Sequence, residues 1–287
     1  MKKYLGIDLG GSYYKFGLYS ESGEDLQQSG KIRAVKDEKQ NTLDAIFGII
    51  SQYTDIDGVG LSIPGWIDNE SGMILGSGAI VPLWGVPLRQ IFEERFKLPF
   101  AFENDANCAA LAELWLGAGT QCDNFVCITV GSGIGGGIVI NKQLYRGSHF
   151  FGGEFCFMKT SHNPLEMYND ASAGWLLRNV NTWTQSKFED GQEIFDNLDN
   201  PKVLFVYNAW IKSLSLGIYN IGAAFDPAKI LIGGGTSPQK RIYQDIEAAL
   251  QTIVHPFYPR FWTVEPCHFG NDAGKIGAIY NLIRRQS

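Results

Sequence analysis

Residues 4–19 read YLGIDLGGSYYKFGLY, and residues 125–140 read FVCITVGSGIGGGIVI. In each, a short apolar run ends at a cluster of glycines and is followed by dense apolar or aromatic residues, the pattern of strand, glycine turn and strand. In the second copy the strand is expected to resume only at Ile138, which leaves Gly131 to Gly137 as one long turn. The two copies share little identity, yet their common pattern points to a duplicated domain. A third glycine group, Gly233-Gly234-Gly235-Thr236, again follows an apolar run, Ile230-Leu231-Ile232.

Working outward, Asn41 to Tyr53 has helical apolar spacing through Leu43, Ile46, Phe47 and Ile50, and Gly58 to Ile63 is a short strand ending at Pro64-Gly65. Phe100-Ala101-Phe102 is a strand that runs into Glu103-Asn104-Asp105-Ala106-Asn107, and the alanine- and leucine-rich stretch to Leu116 is a helix with Asn104 or Asp105 placed to cap it. Asn271-Asp272-Ala273-Gly274 opens a final helix. Strands alternating with helices give an α/β fold, read as two domains: residues 1–116 with 271–287, and residues 117–270.

Composition narrows the classes. With 45% hydrophobic residues, 19% charged residues and a net charge of -6, the chain is too apolar for a disordered protein and too acidic for a nucleic-acid binder. The 34 glycines in 287 residues, about 12% against an ordinary share of about 7%, follow no three-residue period and so are not collagenous. Cys108, Cys122, Cys127, Cys156 and Cys267 are odd in number and lack a C-x-x-C pair. They read as reduced, mostly buried side chains in a cytoplasmic protein. The start, Met1-Lys2-Lys3, reaches Asp8 before any signal-peptide core develops, and no membrane span is present in the sequence.

Glycine turns after strands leave backbone N–H groups bare for one anion, and phosphate is the usual guest. There is no G-x-x-x-x-G-K-[ST] loop and no full dinucleotide fingerprint, so two domains whose turns hold a nucleotide between them are expected instead. Asp8, at a strand end beside Gly10-Gly11-Ser12, reads either as a carboxylate for a Mg²⁺-bound water or as a turn aspartate bonding its own loop. Asp105 reads either as a helix cap or as a base that relieves an acceptor hydroxyl of its proton.

Together these segments resemble the ROK family of bacterial sugar kinases and sugar-responsive repressors. The resemblance rests on Asp8-Leu9-Gly10-Gly11-Ser12 with Lys15, the Glu103 to Ala110 junction, Gly131 to Gly137, Gly152-Gly153-Glu154 and Ile232 to Gly235, in order over the whole chain. It implies an actin-like, hexokinase-like fold of two α/β domains around a cleft, with ATP, Mg²⁺ and a hexose between them and the last helix returning to the first domain. The first domain would take sugar and phosphate, and the second the nucleotide and a homodimer contact. Asp105 would be the base; Asn104 and Glu154 would bind sugar hydroxyls, with Pro64 and Gly65 bordering the sugar. Asp8, Gly10, Gly11, Ser12, Lys15, Gly131, Ser132 and Gly133 would face phosphates and metal, and Gly233, Gly234 and Gly235 the adenosine.

The chain departs from many members in one region. Phe157 stands where they carry a histidine, and residues 161–168 replace a cysteine-rich zinc loop, so no structural zinc is expected. The β-glucoside kinases share both departures, and their Gly-Gly-Ala-Ile and Asn-Asp-Ala-Gly segments resemble Gly76-Ser77-Gly78-Ala79-Ile80 and Asn271 to Gly274. The resemblance therefore implies a kinase of the 6-hydroxyl of a β-glucoside such as cellobiose, with glucose or N-acetylmannosamine as alternative acceptors and Phe157 stacking on the sugar or its aglycone. A sugar-sensing regulator would need a DNA-binding domain ahead of Asp8, and an inert sugar-binding protein would have no need of Asp8 and Asp105.

Overall fold

The computed structural model describes residues 1–76, 78–160, 168–255, 257 and 259–286. The chain divides into two compact units: Met1–Thr120 with Leu144–Gly152 and Asp272–Ser287, and Gln121–Gln143 with Gly153–Asn271. No helix among the described residues is long and apolar enough to cross a membrane.

The first unit contains β1 (Lys3–Leu9), β2 (Tyr13–Ser20), β3 (Asp25–Arg33), α1 (Lys39–Ile50), β4 (Gly58–Ile63), β5 (Trp66–Asp68), β6 (Met73–Gly76), α2 (Leu88–Phe96), β7 (Phe100–Asn104) and α3 (Asp105–Leu116). Its main sheet has the order β3-β2-β1-β4-β7. β1 pairs antiparallel with β2 and parallel with β4, and β4 pairs parallel with β7. β4 is buried at every position and β1 at most, as expected of central strands covered on both faces. β3 is mostly exposed and carries Lys31 and Arg33, the charged dressing of an edge strand.

The second unit repeats this plan with β8 (Phe125–Val130), β9 (Ile134–Ile140), α4 (Ala173–Thr184), α5 (Gly191–Asp196), α6 (Pro201–Phe225), β11 (Lys229–Gly233), α7 (Lys240–Ile253) and β12 (Thr263–Pro266), its sheet extended by β10 (Gln143–Tyr145), which begins at the last residue of the Gln121–Gln143 segment. The sheet order is β10-β9-β8-β11-β12, with β8 antiparallel to β9 and parallel to β11, and β11 parallel to β12. The duplication expected from residues 4–19 and 125–140 is thus present as one topology used twice. The core of this unit gathers around α6, whose Trp210 and Tyr207 are fully buried. Pro201 sits at its first turn, and the Asn200 side chain caps it by accepting from the Lys202 N–H at 3.0 Å.

Two sequence expectations shift. The glycine turn after β8 ends at Gly133, because β9 already begins at Ile134. Gly136 lies inside that strand, where a Cβ would collide with the Phe155 ring and the Gly153 carbonyl, so its bareness serves packing and not a phosphate. The helix expected over 41–53 runs Lys39–Ile50, and Ser51 and Gln52 continue as turn.

The last helix, α8 (Ala273–Gln286), belongs to the first unit and packs against β1, β4 and α3. Its approach is backbone on backbone: a Cβ on Gly6 would stand 2.5 Å from the Lys275 carbonyl, and a Cβ on Gly277 would overlap the Cys108 carbonyl. Gly277→Ala is therefore expected to destabilise the fold by about 2 kcal/mol or more through overpacking. Gly48→Ala, in α1 where a Cβ meets nothing within 4 Å, should stabilise by roughly 0.5–1 kcal/mol. Urea unfolding of both variants checks the pair, and equal effects of the two would contradict this packing.

Candidate active site

Strand register builds the first part of the site. Asp8 on β1 lies level with Lys15 on β2 and Ser62 on β4. The Ser62 hydroxyl donates to Asp8 Oδ1 at 2.7 Å, and Lys15 Nζ stands 3.9 Å from Oδ2. From the other side the first turn of α8 closes in, with the position of a Gly274 Cβ only 2.5 Å from Asp8 Oδ1. Burial pushes the Asp8 carboxyl up from its ordinary range, while the Ser62 hydrogen bond and the charges of Lys15 and Lys275 pull it back. Lys275 is itself buried and pairs with Asp272 at 2.8 Å. The turn beside Asp8 is tight: the Gly10 N–H donates to the Tyr13 carbonyl at 3.0 Å, and Ser12 is exposed at its tip. Lys36 Nζ donates to the Gly11 carbonyl at 2.6 Å, adding a cation to the turn.

The second part is the junction of β7 and α3. Asn104, not Asp105, is the helix cap: its Oδ1 accepts from the Ala106 and Asn107 N–H groups at 2.9 and 3.0 Å. Its Nδ2 donates to the Gly65 carbonyl at 2.9 Å, which ties the Pro64-Gly65 turn to the junction. Gly65 adopts φ 114°, in the region that favours glycine. Asp105, the first residue of α3, is exposed, and its Oδ1 accepts from the Ala106 N–H at 2.9 Å. One residue earlier Glu103, 2% exposed, accepts from the Asn104 N–H and Asn107 Nδ2, both at 3.0 Å, and from Arg146 Nε at 2.7 Å. A buried carboxylate with a tight guanidinium partner and hydrogen bonds on both oxygens makes a rigid floor beneath Asn104 and Asp105.

The third part lies in the second unit. A cleft of about 430 Å³ is lined by Gly131 and Ser132, the first turn of α4 at Ala173-Gly174, residues 190–192 at the start of α5, and Gly235, Thr236 and Gln239. That size suits a drug-sized or nucleotide-sized ligand. Thr236 is buried, and its Oγ1 has no hydrogen-bond partner among the described residues, so the lining holds a polar atom for a ligand to satisfy. Gly235 lines the cleft and Gly234, at φ 90°, makes the turn. Gly233 is buried, with Cys267 Sγ 3.2 Å from where its Cβ would be. Gly133 lies outside the lining, next to the Asn169 side chain, whose Oδ1 accepts from the Ile134 N–H at 2.9 Å.

Also in the second unit, Glu154 follows Gly153 and is half-buried. Burial raises its carboxyl, while a hydrogen bond from the Cys156 thiol at 3.7 Å lowers it. The Cys156 thiol in turn is pushed up to about 12 by burial and the neighbouring carboxylate. Phe157 is 45% exposed. Residues 161–167, where the zinc loop is expected to be replaced, lie outside the described residues, as does Ser77.

Sequence reasoning reaches Asp8, the glycine turns, Asn104, Asp105, Glu154 and Phe157. It misses Ser62, Lys36, Lys275, Arg146, Asn169 and Thr236, all but Thr236 brought in by an element distant in sequence. Only Thr236 carried a local signal, as the residue directly after a glycine run at a strand end.

The family profile described as ROK family matches residues 4–285. A β-glucoside kinase from Listeria innocua is 33% identical over 99% of both chains. The solved structure of a ROK family protein from Streptococcus pneumoniae in complex with sucrose superposes with a TM-score of 0.90 at 28% identity, covering 99% of both chains. A ROK family glucokinase from Streptomyces griseus, solved with glucose and AMPPNP, gives 0.86 at 25% identity and covers 99% of this chain and 100% of its own. The duplicated sheets are those of the actin-like, hexokinase-like fold, and the chain belongs to the ROK family.

Proposed function

We propose that this protein is an ATP-dependent sugar kinase that phosphorylates the 6-hydroxyl of a β-glucoside such as cellobiose, with Asp105 as the base. The observation that carries the reading is the β7–α3 junction, where an exposed carboxylate stands on a floor fixed by Glu103 and Arg146 beside the capping amide of Asn104. Phosphoryl transfer needs the acceptor hydroxyl positioned and relieved of its proton, and little other covalent chemistry. Asp105 lies in the first turn of α3, where the helix N-terminus favours negative charge. One N–H of the Asn104 amide is held by Gly65, and the other is assigned to a sugar hydroxyl, with Pro64 at the border. Glu154 accepts from further hydroxyls, and Phe157 offers a ring face to the sugar.

ATP, when bound, supplies the γ-phosphoryl group, and Mg²⁺ neutralises its phosphate charge. The second unit's cleft fits the nucleotide through Thr236, Gly235 and the bare turn at Gly131 and Ser132. Asp8 fits the metal's water shell, being a carboxylate kept from full solvation with its nearest ammonium 3.9 Å away. Lys15 and Lys36 add positive charge at the Gly10-Gly11-Ser12 turn. Proton removal by Asp105 frees the sugar oxygen to bond to the γ-phosphorus as the bond to the departing ADP oxygen breaks. Support for a β-glucoside as acceptor comes from the Listeria innocua relative and from the aromatic Phe157. The same reading makes the protein a cytoplasmic homodimer, from its reduced cysteines and its family.

Asp105→Asn is expected to lower kcat by about 10²–10⁴-fold with cellobiose, glucose or N-acetylmannosamine as acceptor, while sugar binding measured by calorimetry changes little. A kcat within tenfold of wild type would reject Asp105 as the base. Asp8→Asn should cut turnover yet raise the melting temperature at neutral pH. The sign follows from a raised carboxyl: the fold favours the protonated form, so the charged group costs stability once pH climbs through the raised value, and the gain from Asn should vanish in acid. Thr236→Val should weaken AMPPNP binding by about tenfold, the loss of roughly one hydrogen bond, without altering sugar affinity.

A further inference from the structure

Residues 146–152 of the first unit form a tight loop of which the chemistry above uses only Arg146. Its ends are joined by the Gly152 N–H donating to the Arg146 carbonyl at 2.9 Å. The backbone turns left-handed at Gly147 and again at Phe150, φ 58°. A bulky aromatic residue is strained there and stays so only when neighbouring contacts fix it.

Both ends of the loop are fixed. At one end the Arg146 guanidinium donates to buried Glu103 at 2.7 Å and to Asn281 Oδ1 at 3.1 Å. At the other, the His149 carbonyl accepts from Trp66 Nε1 at 2.7 Å, and the Phe151 ring meets the indole edge-on at 5.5 Å with an 80° angle between planes. Trp66 follows Pro64-Gly65 directly, and the Gly65 carbonyl is held by Asn104, the neighbour of Asp105. The loop thus sets Phe151, 44% exposed, against a half-buried tryptophan at the border of the acceptor junction.

An indole whose N–H is already engaged, paired with a second exposed ring, presents apolar surface and no free donor. Such a surface suits the C–H face of a pyranose or an aryl group, and not a cluster of hydroxyls. We propose that Trp66 and Phe151 form a distal acceptor subsite that takes the second ring of a β-glucoside, sugar or aryl. This rests on the sugar-kinase reading and names the part of the acceptor that decides selectivity.

Cellobiose and glucose binding are measured by calorimetry on wild type, Phe151→Ala, Trp66→Ala and the conservative Trp66→Phe. Phe151→Ala changes an exposed ring and is the variant least able to disturb folding. The expected result is a loss of cellobiose affinity of about tenfold, with glucose affinity changed less than about twofold, and partial recovery in Trp66→Phe. Equal weakening of both sugars, no weakening of either, or a wild type that binds cellobiose no better than glucose would overturn the subsite. Turnover of glucose with ATP and Mg²⁺ is read in parallel, so a failed kinase reading shows itself separately from a failed subsite.

Discussion

The close approach of α8 to the sheet of the first unit is the constraint on which the rest of that unit depends. Bare backbone at Gly6, Gly60 and Gly277 lets the helix lie against β1, β4 and α3 nearly in contact. That seating brings Gly274 onto Asp8, buries Lys275 near it, and places Asn281 where it receives the Arg146 guanidinium. Arg146 then holds Glu103, and Glu103 holds the backbone of Asn104. One helix seated on glycine therefore positions the candidate metal ligand and, through two charged side chains, the candidate base.

Three carboxylates, Glu103 buried and Asp8 and Glu154 partly buried, differ in how their charge is met. Glu103 is fully served within the chain by a guanidinium and by amide and backbone donors. Asp8 has a hydroxyl donor and a distant ammonium, and Glu154 a thiol, with burial the leading influence on both. A carboxylate removed from water without a tight cation is costly unless something else meets its charge. The two that are underserved are those assigned to metal and sugar, whereas the satisfied one is assigned to support.

The turns and the Glu103 to Asn107 junction were legible because each is local: a strand ends, and the next few residues say what the end is for. The duplicated topology was legible for the same reason, although the second glycine run proved half turn and half strand, since sequence cannot tell a glycine that bends the chain from one that lies under Phe155. Gly233 makes the same point: it continues a glycine run at a strand end, yet its missing side chain makes room for Cys267. What stayed hidden came from tertiary pairing. Ser62 reaches Asp8 through strand register, Arg146 reaches Glu103 from a loop after β10, and Thr236 matters only because it is buried without a partner.

If the β7–α3 junction presents a sugar's primary hydroxyl for phosphorylation, the new phosphate must sit on that hydroxyl, and its position decides the matter. Wild-type protein is incubated with ATP, Mg²⁺ and cellobiose, and the product is analysed by phosphorus–proton correlation NMR. The expected product is a phosphoester coupled to the H6 protons of the non-reducing glucose, with ADP formed in equal amount. A phosphate on C1 or on a secondary hydroxyl, or ADP released without a sugar ester, would contradict it.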